Sequence, residues 1–209
     1  MIALLVISLG IHEAAHGWVA LKCGDPTARD LGRITLNPIP HIDPFMTILL
    51  PAIGYLSGGF IFGGAKPVPV NYYNLRSPLR DMALVAIAGP ASNFLLAGFF
   101  FLCRKVVVYE LDIWRPNTLG ELVLVQAVIF NLALAAFNLL PIPPLDGSRV
   151  MTWLLPRGLR ESYAGLERFG LILVLLVVFF VPGVREVVGQ TMALMLRGIE
   201  AMVTLGGAW

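Results

Sequence analysis

The chain has few charged residues. Asp, Glu, Lys and Arg make up 13% of the 209 residues, whereas 57% are hydrophobic, and soluble proteins average ~25% charged. The mean hydropathy is +0.80. The net charge of +2 and the lack of any basic run argue against nucleic acid as a partner. This composition argues against a soluble globular protein and predicts an integral membrane protein in contact with the lipid bilayer.

Cysteine is also scarce. Cys23 and Cys103 have no CxxC or CxxH partner, which argues against a disulfide and against a cysteine-ligated metal. A positively charged region before the first apolar segment is lacking too, so that segment is expected to remain in the mature protein rather than to be cleaved as a signal. No internal repeat and no long polar linker interrupts the chain, which predicts a single membrane-embedded domain over residues 1–209.

Six apolar segments alternate with short polar stretches. They cover residues 1–21, 45–62, 83–103, 121–141, 167–182 and 187–205. A full membrane span needs about 20 residues, so the first, third and fourth segments qualify and the fifth is short. The last contains Arg197 and Glu200 and is either a poor span or an amphipathic surface helix. We therefore expect an all-α polytopic membrane protein with five to six membrane segments.

The first apolar segment contains the run His12-Glu13-Ala14-Ala15-His16. Side chains four positions apart share one face of a helix, so both imidazoles can bind the same metal ion. Two histidines that hold Zn²⁺ and a glutamate that acts as general base are typical of zinc hydrolases. His12 would lie about 16 Å along the helix, near the middle of the bilayer, where ionisable residues indicate function. The alternative is that the two histidines only pack against a neighbouring helix.

Residues 138–147, Asn-Leu-Leu-Pro-Ile-Pro-Pro-Leu-Asp-Gly, form the second informative run. Prolines cannot continue a regular helix, so we expect an unwound segment that presents Asp146, with a tight turn at Gly147. Asp146 is the best candidate for a third metal ligand, because two histidines and one carboxylate with an open fourth position form a catalytic zinc site. Asp146 could instead, or also, cap a helix that begins near Ser148.

Glycines and prolines in the second apolar segment, residues 45–62, disfavour a regular helix there. If this segment dips into the membrane and returns, His16 and Asp146 approach the same side. Ten basic residues then share that side: Lys22, Arg29, Arg33, Lys66, Arg76, Arg80, Arg149, Arg157, Arg160 and Arg168. The positive-inside rule therefore predicts a re-entrant second segment and an active site toward the cytoplasm.

Together, the two motifs resemble the site-2 protease family of intramembrane zinc metalloproteases. The family pattern is H-E-x-x-H on one membrane helix and N-x-x-P-x-P-x-L-D-G at the end of a later one, and residues 12–16 and 138–147 match both. Residues 63–71 and 88–93 also resemble its compact prokaryotic branch without PDZ or CBS domains. Only eleven residues precede His12, so either this is a minimal form or the true start lies upstream.

The resemblance implies that His12, His16 and Asp146 bind one Zn²⁺ and that Glu13 is the catalytic base. It implies a zinc endopeptidase in the cell membrane that hydrolyses peptide bonds within or near the membrane helices of single-pass regulatory proteins. We expect one metalloprotease domain with a catalytic core at about residues 1–155 and membrane helices at about 167–205. The sequence does not indicate an oligomeric state.

Other residues near the motifs have weaker assignments. Asn93 and Asn138 are candidates for hydrogen bonds to the substrate carbonyl, with interhelical hydrogen bonds as an equal alternative. His41 is expected to be a loop or interface histidine rather than a ligand or a gating residue. Residues 65–71 are expected to form a short extended strand near the active site, where an unwound substrate could pair with it by strand addition.

Two other classes of function compete with a protease. A cation transporter could use buried His and Asp side chains, but the chain shows no paired halves, and Glu13 has no task in a passive pore. A catalytically silent membrane chaperone would retain the fold, but such a protein is expected to have a damaged motif. Replacement of Glu13 by Gln separates these classes, because only a protease would lose an activity while it keeps its metal.

Overall fold

The computed structural model describes residues 2–49, 52, 53, 56 and 64–205. The density of contacts divides the chain into two compact units, Met1–Gly89 and Pro90–Trp209. The single metalloprotease domain over residues 1–209 stays a prediction.

The first unit contains one long helix followed by short helical turns. Helix α1 spans Ile2–Cys23, α2 spans Thr27–Asp30, and α3 begins at Pro78. Proline suits the first turn of a helix, because its fixed φ is helical and its missing N–H has no partner there anyway. Between α2 and α3 lie 3₁₀-helices at Ile39–His41 and Tyr72–Asn74 and a π-helix at Pro44–Leu49.

Helix α3 spans Pro78–Arg104, so the division between the units falls inside it, and a π-helix at Lys105–Glu110 follows directly. The second unit also contains α4 at Leu119–Asn138, α5 at Asp146–Leu154, α6 at Arg157–Ala164, a 3₁₀-helix at Gly165–Phe169, α7 at Gly170–Phe180 and α8 at Val184–Leu205. The end of α4 at Asn138 confirms that the proline run interrupts the helix.

The core of the second unit is a cluster of small and branched apolar side chains. Ala97 of α3, Val128 and Leu132 of α4, and Ile199 of α8 are all buried in it. On α8, Arg197 and Glu200 are exposed while Ile199 is buried, so this helix is amphipathic.

Among the described residues the protein is all-helical, which confirms the predicted class. Three helical stretches are long and apolar enough to cross a membrane: Ala3–Cys23, Pro78–Glu110 and Leu119–Asn138. Arg157–Phe169 and Ile172–Phe180, bent by 92°, would add a fourth crossing if they act as one span. Helix α8 is not among these candidates. The described residues therefore contain fewer spans than the five to six segments expected from hydropathy.

Two expectations concern the chain between α2 and α3. Most of the second apolar segment, residues 45–62, lies outside the described residues, so its re-entrance stays a prediction. The strand expected at residues 65–71 is not found, since the described chain there is irregular and no β-strand occurs in the described ranges. The physical reason is that Pro67 and Pro69 have no N–H, while those of Lys66 and Val68 donate elsewhere.

Candidate active site

The two motif histidines lie one turn apart on α1 and are both buried, with exposures of 4% and 8%. Their Nε2 atoms are 3.0 Å apart, and the rings meet edge to face. Two nitrogens bound to one tetrahedral zinc, each ~2.0–2.1 Å from the ion, would be about 3.3 Å apart. A carboxylate oxygen of Glu13 completes a group whose potential ligand atoms all lie within 4.8 Å of one another. The donor set and its spacing fit one zinc ion.

The orientation of the His16 ring is set by α3. Nδ1 of His16 lies 2.7 Å from the carbonyl oxygen of Val85, which can only accept a hydrogen bond. Nδ1 therefore carries the proton, and Nε2 has a lone pair available for a metal. This is the tautomer that metal-binding histidines commonly adopt through a hydrogen bond at the other ring nitrogen.

Gly89 of α3 leaves the space that the two imidazoles occupy. A Cβ atom at this position would lie 2.5 Å from ring atoms of both His12 and His16, a distance that real Cβ atoms do not reach. A larger residue would push at least one ring away. The residues that pack against Gly89 are therefore the two motif histidines.

The Glu13 side chain lies on a different face of α1 and contacts residues 65–71, hereafter the 65–71 segment. Its Oε2 atom accepts a hydrogen bond from the main-chain N–H of Val68 at 2.7 Å. One turn later on α1, a Cβ at Gly17 would lie 3.2 Å from Cγ1 of Val68. The helix face with Glu13 and Gly17 therefore packs closely against this segment.

Asp25, just after α1, holds the other end of the 65–71 segment. It is fully buried and accepts hydrogen bonds from the main chain of Asn71 and Thr27 and from the side chains of Thr27 and Asn74. Burial acts to raise its pKa, but these hydrogen bonds outweigh burial and hold the pKa of Asp25 below its ordinary value.

Asp146 belongs to the second unit, where it is the first residue of α5. The N-cap position is held by Leu145, so Asp146 does not cap a helix that starts at Ser148. Its Oδ2 atom is shielded from solvent. Residues 139–145, which precede it, are not part of a regular helix, as the prolines predict.

Gly147 is required for space rather than for a left-handed backbone. A Cβ there would lie 2.2 Å from the carbonyl oxygen of Leu139 and 2.4 Å from that of Leu140. The main chain after α4 therefore passes directly against the start of α5. The tight turn expected at Gly147 is a close approach of two backbone segments.

The two asparagines proposed for substrate binding make hydrogen bonds within the second unit. Nδ2 of Asn93 donates to Oδ1 of Asn131 at 2.9 Å, which is the interhelical hydrogen bond of the alternative interpretation. Nδ2 of Asn138 donates to the carbonyl oxygen of Leu134, one turn earlier on α4. A role for either residue in substrate binding stays a prediction.

His41 lies in the first unit and is 2% exposed. Its Nε2 is 3.1 Å from the carbonyl oxygen of Thr35, and its main-chain carbonyl accepts a hydrogen bond from the N–H of Lys66. Among the described residues, the group of three that could hold a metal consists of His12, Glu13 and His16. These contacts agree with the expected loop histidine.

Sequence reasoning missed three parts of this site: the carbonyl of Val85, the close fit at Gly89 and the amide of Val68. Main-chain groups leave no trace in residue identity, so Val85 could not have been found. The other two had a signal. Gly89 precedes a proline inside an apolar helix, and Val68 stands between two prolines.

Known proteins with similar sequences carry the name of zinc metalloproteases. The sequence profile of peptidase family M50 matches residues 1–111 and 106–181. The protein named "Putative zinc metalloprotease YwhC" of Bacillus subtilis is 42% identical over 184 residues, which are 87% of this chain and 80% of that protein. Rip2 of Mycolicibacterium smegmatis, with the same descriptive name, is 28% identical over 179 residues, 83% of this chain and 64% of that protein. No solved structure gives a significant match.

The profile match covers more than half of the chain, and the Bacillus subtilis relative aligns with most of it. The apolar helices agree with a multi-pass membrane protein. The chain belongs to peptidase family M50, the site-2 protease family that its two motifs resemble, and it is a zinc metalloprotease with Zn²⁺ as its cofactor.

Proposed function

We propose that this zinc metalloprotease cleaves peptide bonds within or near the membrane helices of single-pass regulatory proteins. The observation that carries the proposal is the position of the His12, Glu13 and His16 group, inside a helix long and apolar enough to cross a membrane. Burying ionisable groups in a membrane-spanning helix costs free energy, so their presence there indicates a function. A peptidase site at that position meets substrates that lie in the bilayer.

In this proposal His12, His16 and Asp146 hold the metal, and Glu13 is the general base. The buried imidazoles, the Nδ1–H of His16 donated to Val85 and the space at Gly89 support the two histidine assignments. The shielded Oδ2 atom and the close packing at the start of α5 support Asp146. Bound Zn²⁺ would polarise the scissile carbonyl and acidify the attacking water.

The protein's own groups then move the proton. Glu13 accepts the proton of the attacking water and later delivers it to the nitrogen of the leaving amine, so the same carboxylate serves as base and then as acid. The scissile peptide must first leave its helix, because in a helix its carbonyl accepts a hydrogen bond from the N–H four residues later. The substrate therefore has to unwind locally before cleavage.

The distribution of basic residues indicates which side of the membrane the active site faces. The ten basic residues counted above would share the face toward which His16 and Asp146 point, if the second apolar segment is re-entrant. The positive-inside rule then orients the active site toward the cytoplasm of a cell-membrane protein. Cysteine labelling of Arg76→Cys and Arg115→Cys in intact cells, in a chain whose Cys23 and Cys103 are replaced by Ser, tests this orientation. Labelling of Arg76→Cys from outside would overturn it.

The test of function compares metal content with cleavage. Purified wild type is expected to hold one zinc per chain and to shorten a tagged single-pass substrate within its membrane helix. Glu13→Gln should keep the zinc and lose cleavage, because the imidazoles remain and the base is gone. His16→Ala and Asp146→Ala should lose both.

The exposed residues Glu186 and Asp30 offer matched controls, and Glu186→Gln and Asp30→Ala should leave zinc and cleavage unchanged. Cleavage by Glu13→Gln at the wild-type rate would contradict the role of Glu13. Full zinc content in Asp146→Ala would contradict its role as a ligand. A transporter or a silent chaperone is not favoured, and cation flux that survives in Glu13→Gln without any cleavage in wild type would revive the first.

A further inference from the structure

The 65–71 segment brings a single main-chain donor to the proposed base. Val68 donates its N–H to Oε2 of Glu13 at 2.7 Å, across 55 residues of sequence. The neighbours Pro67 and Pro69 have no N–H, so Val68 supplies the one amide hydrogen of these three residues. The residue before a proline is also confined to extended backbone, which limits how Val68 can turn its amide.

Both ends of the segment are tied to the first unit. The N–H of Lys66 donates to the carbonyl of His41 at 2.8 Å, and Nη2 of Arg33 donates to the carbonyl of Lys66 at 2.7 Å. At the other end, the N–H of Asn71 donates to Oδ2 of Asp25 at 2.6 Å. The amide of Val68 is therefore held between two anchored points.

The side chain of Val68 fixes the distance between the segment and α1. Val68 is 8% exposed, and its Cγ1 would lie 3.2 Å from a Cβ at position 17, which is tighter than an ordinary van der Waals contact. Residues 13 and 17 are one turn apart, so the same face of α1 receives the side chain of Val68 and offers the carboxylate of Glu13 to its amide. The close approach is what brings the N–H within hydrogen-bond distance.

We propose that the main-chain amide of Val68 is a positioning group for the general base. A glutamate side chain has three rotatable bonds, and a hydrogen bond to Oε2 removes much of that freedom. The second oxygen, Oε1, is then presented to the attacking water in a constant orientation. This inference rests on the proposed role of Glu13 and adds the group that holds it.

The arrangement has a consequence for substrate binding. The N–H groups of Lys66, Val68 and Asn71 are already donated, and two further residues of the segment are prolines. Ala65 and Val70 alone retain amides without an assigned acceptor in the described contacts. A substrate strand would find few main-chain donors here, so the segment serves Glu13 better than it serves strand addition.

The test removes the amide hydrogen while the rest of the chain stays intact. Val68→Pro deletes the N–H at a position already flanked by prolines, and Val68→Ala keeps it while it shortens the side chain. The matched control is Val70→Pro, which deletes an N–H in the same segment that does not reach Glu13. Each full-length variant is purified in detergent and assayed for zinc content, kcat and KM on the tagged single-pass substrate.

Val68→Pro is expected to lower kcat about tenfold to hundredfold, the scale of a misplaced catalytic group, with KM and zinc content within about twofold of wild type. Val68→Ala and Val70→Pro should both lose much less kcat than Val68→Pro, because neither removes the amide hydrogen that reaches Glu13. Replacement of the Val68 N–H by an ester oxygen, which keeps the side chain, should reproduce the loss in kcat.

Several outcomes would overturn the inference. Equal losses in Val68→Pro and Val68→Ala would assign the effect to packing, and loss of zinc in Val68→Pro would assign it to the fold. A higher kcat in Val68→Pro would mean that the amide restrains the base. Glu13→Gln separates this inference from the proposed function: if that variant is inactive and the ester variant is fully active, only the positioning role fails.

Discussion

His12 and His16 are oriented by residues far away in the sequence, whereas Asp146 is presented by its near neighbours. The carbonyl that orients His16 lies 69 residues later, and the glycine that makes room for both rings lies further still. By contrast, the start of α5 packs against carbonyls of Leu139 and Leu140, fewer than ten positions away. The hydroxyl of Tyr163 on α6 also donates a hydrogen bond to the carbonyl of Pro141 at 2.7 Å.

This contrast teaches why one motif is regular and the other is unwound. A helix can place two imidazoles on one face, but it does not decide how the rings rotate or which nitrogen carries the proton. Another helix must supply that. A proline-rich run restricts its own backbone, so it can present a carboxylate with little help from distant residues.

The largest expected effect on cleavage and zinc binding is at the contact between Gly89 and the two imidazoles. Gly89→Ala puts a methyl group where it overlaps both imidazoles, so we expect cleavage to be lost and zinc affinity to fall by about tenfold or more. Zinc content and cleavage measure this. Gly98→Ala on the same helix is the matched control, because its Cβ would meet its nearest neighbour at an ordinary 4.0 Å. Normal zinc binding by Gly89→Ala would show that the rings do not depend on α3.

A smaller effect is expected from the local contact. Gly147→Ala forces the start of α5 away from two carbonyls, and overpacking of this kind costs about 1–3 kcal/mol of unfolding free energy. We expect a lower melting temperature in detergent and weakened zinc binding. Gly189→Ala on α8 has open space around it and should be neutral or slightly stabilising, since Ala favours helix by up to ~1 kcal/mol. Equal melting temperatures for the two variants would show that the close approach at Gly147 does not contribute to stability.

The smallest effect concerns the anchor of the 65–71 segment. Asp25 has a lowered pKa in the folded protein, so its carboxylate stabilises the fold above its ordinary pKa of ~3.9. That stabilisation is lost as the pH falls from this value through the lowered pKa. Asp25→Asn should cost about 1–3 kcal/mol at neutral pH and flatten the acid side of the stability profile.

Melting temperatures of wild type and Asp25→Asn between about pH 2 and pH 7 measure this difference. Asp30→Asn is the control, because Asp30 is an exposed residue paired only with its neighbour Arg29 in the described contacts. An acid dependence that is the same in wild type and Asp25→Asn would contradict the assignment to Asp25.

Much of the site could be predicted because its residues carry chemistry in their identity. The spacing of His12 and His16 predicted a shared helix face, and the prolines before Asp146 predicted an interrupted helix, and both predictions are confirmed. The prediction of a strand at residues 65–71 was wrong. The amides of Lys66 and Val68 donate to groups elsewhere in the first unit, and the sequence pattern does not reveal those partners.

Residue order alone determined the helical class, the apolar character of α1 and the chemistry of the two motifs, because these follow from side-chain type and spacing along a short stretch of chain. Only the tertiary structure decided which nitrogen of His16 carries the proton, why residue 89 has no side chain and which group donates a hydrogen bond to Glu13. Those features depend on backbone groups and empty space contributed by segments more than fifty residues away. Every residue has a main-chain carbonyl, so residue type alone does not show which carbonyl or which gap lies beside a given side chain.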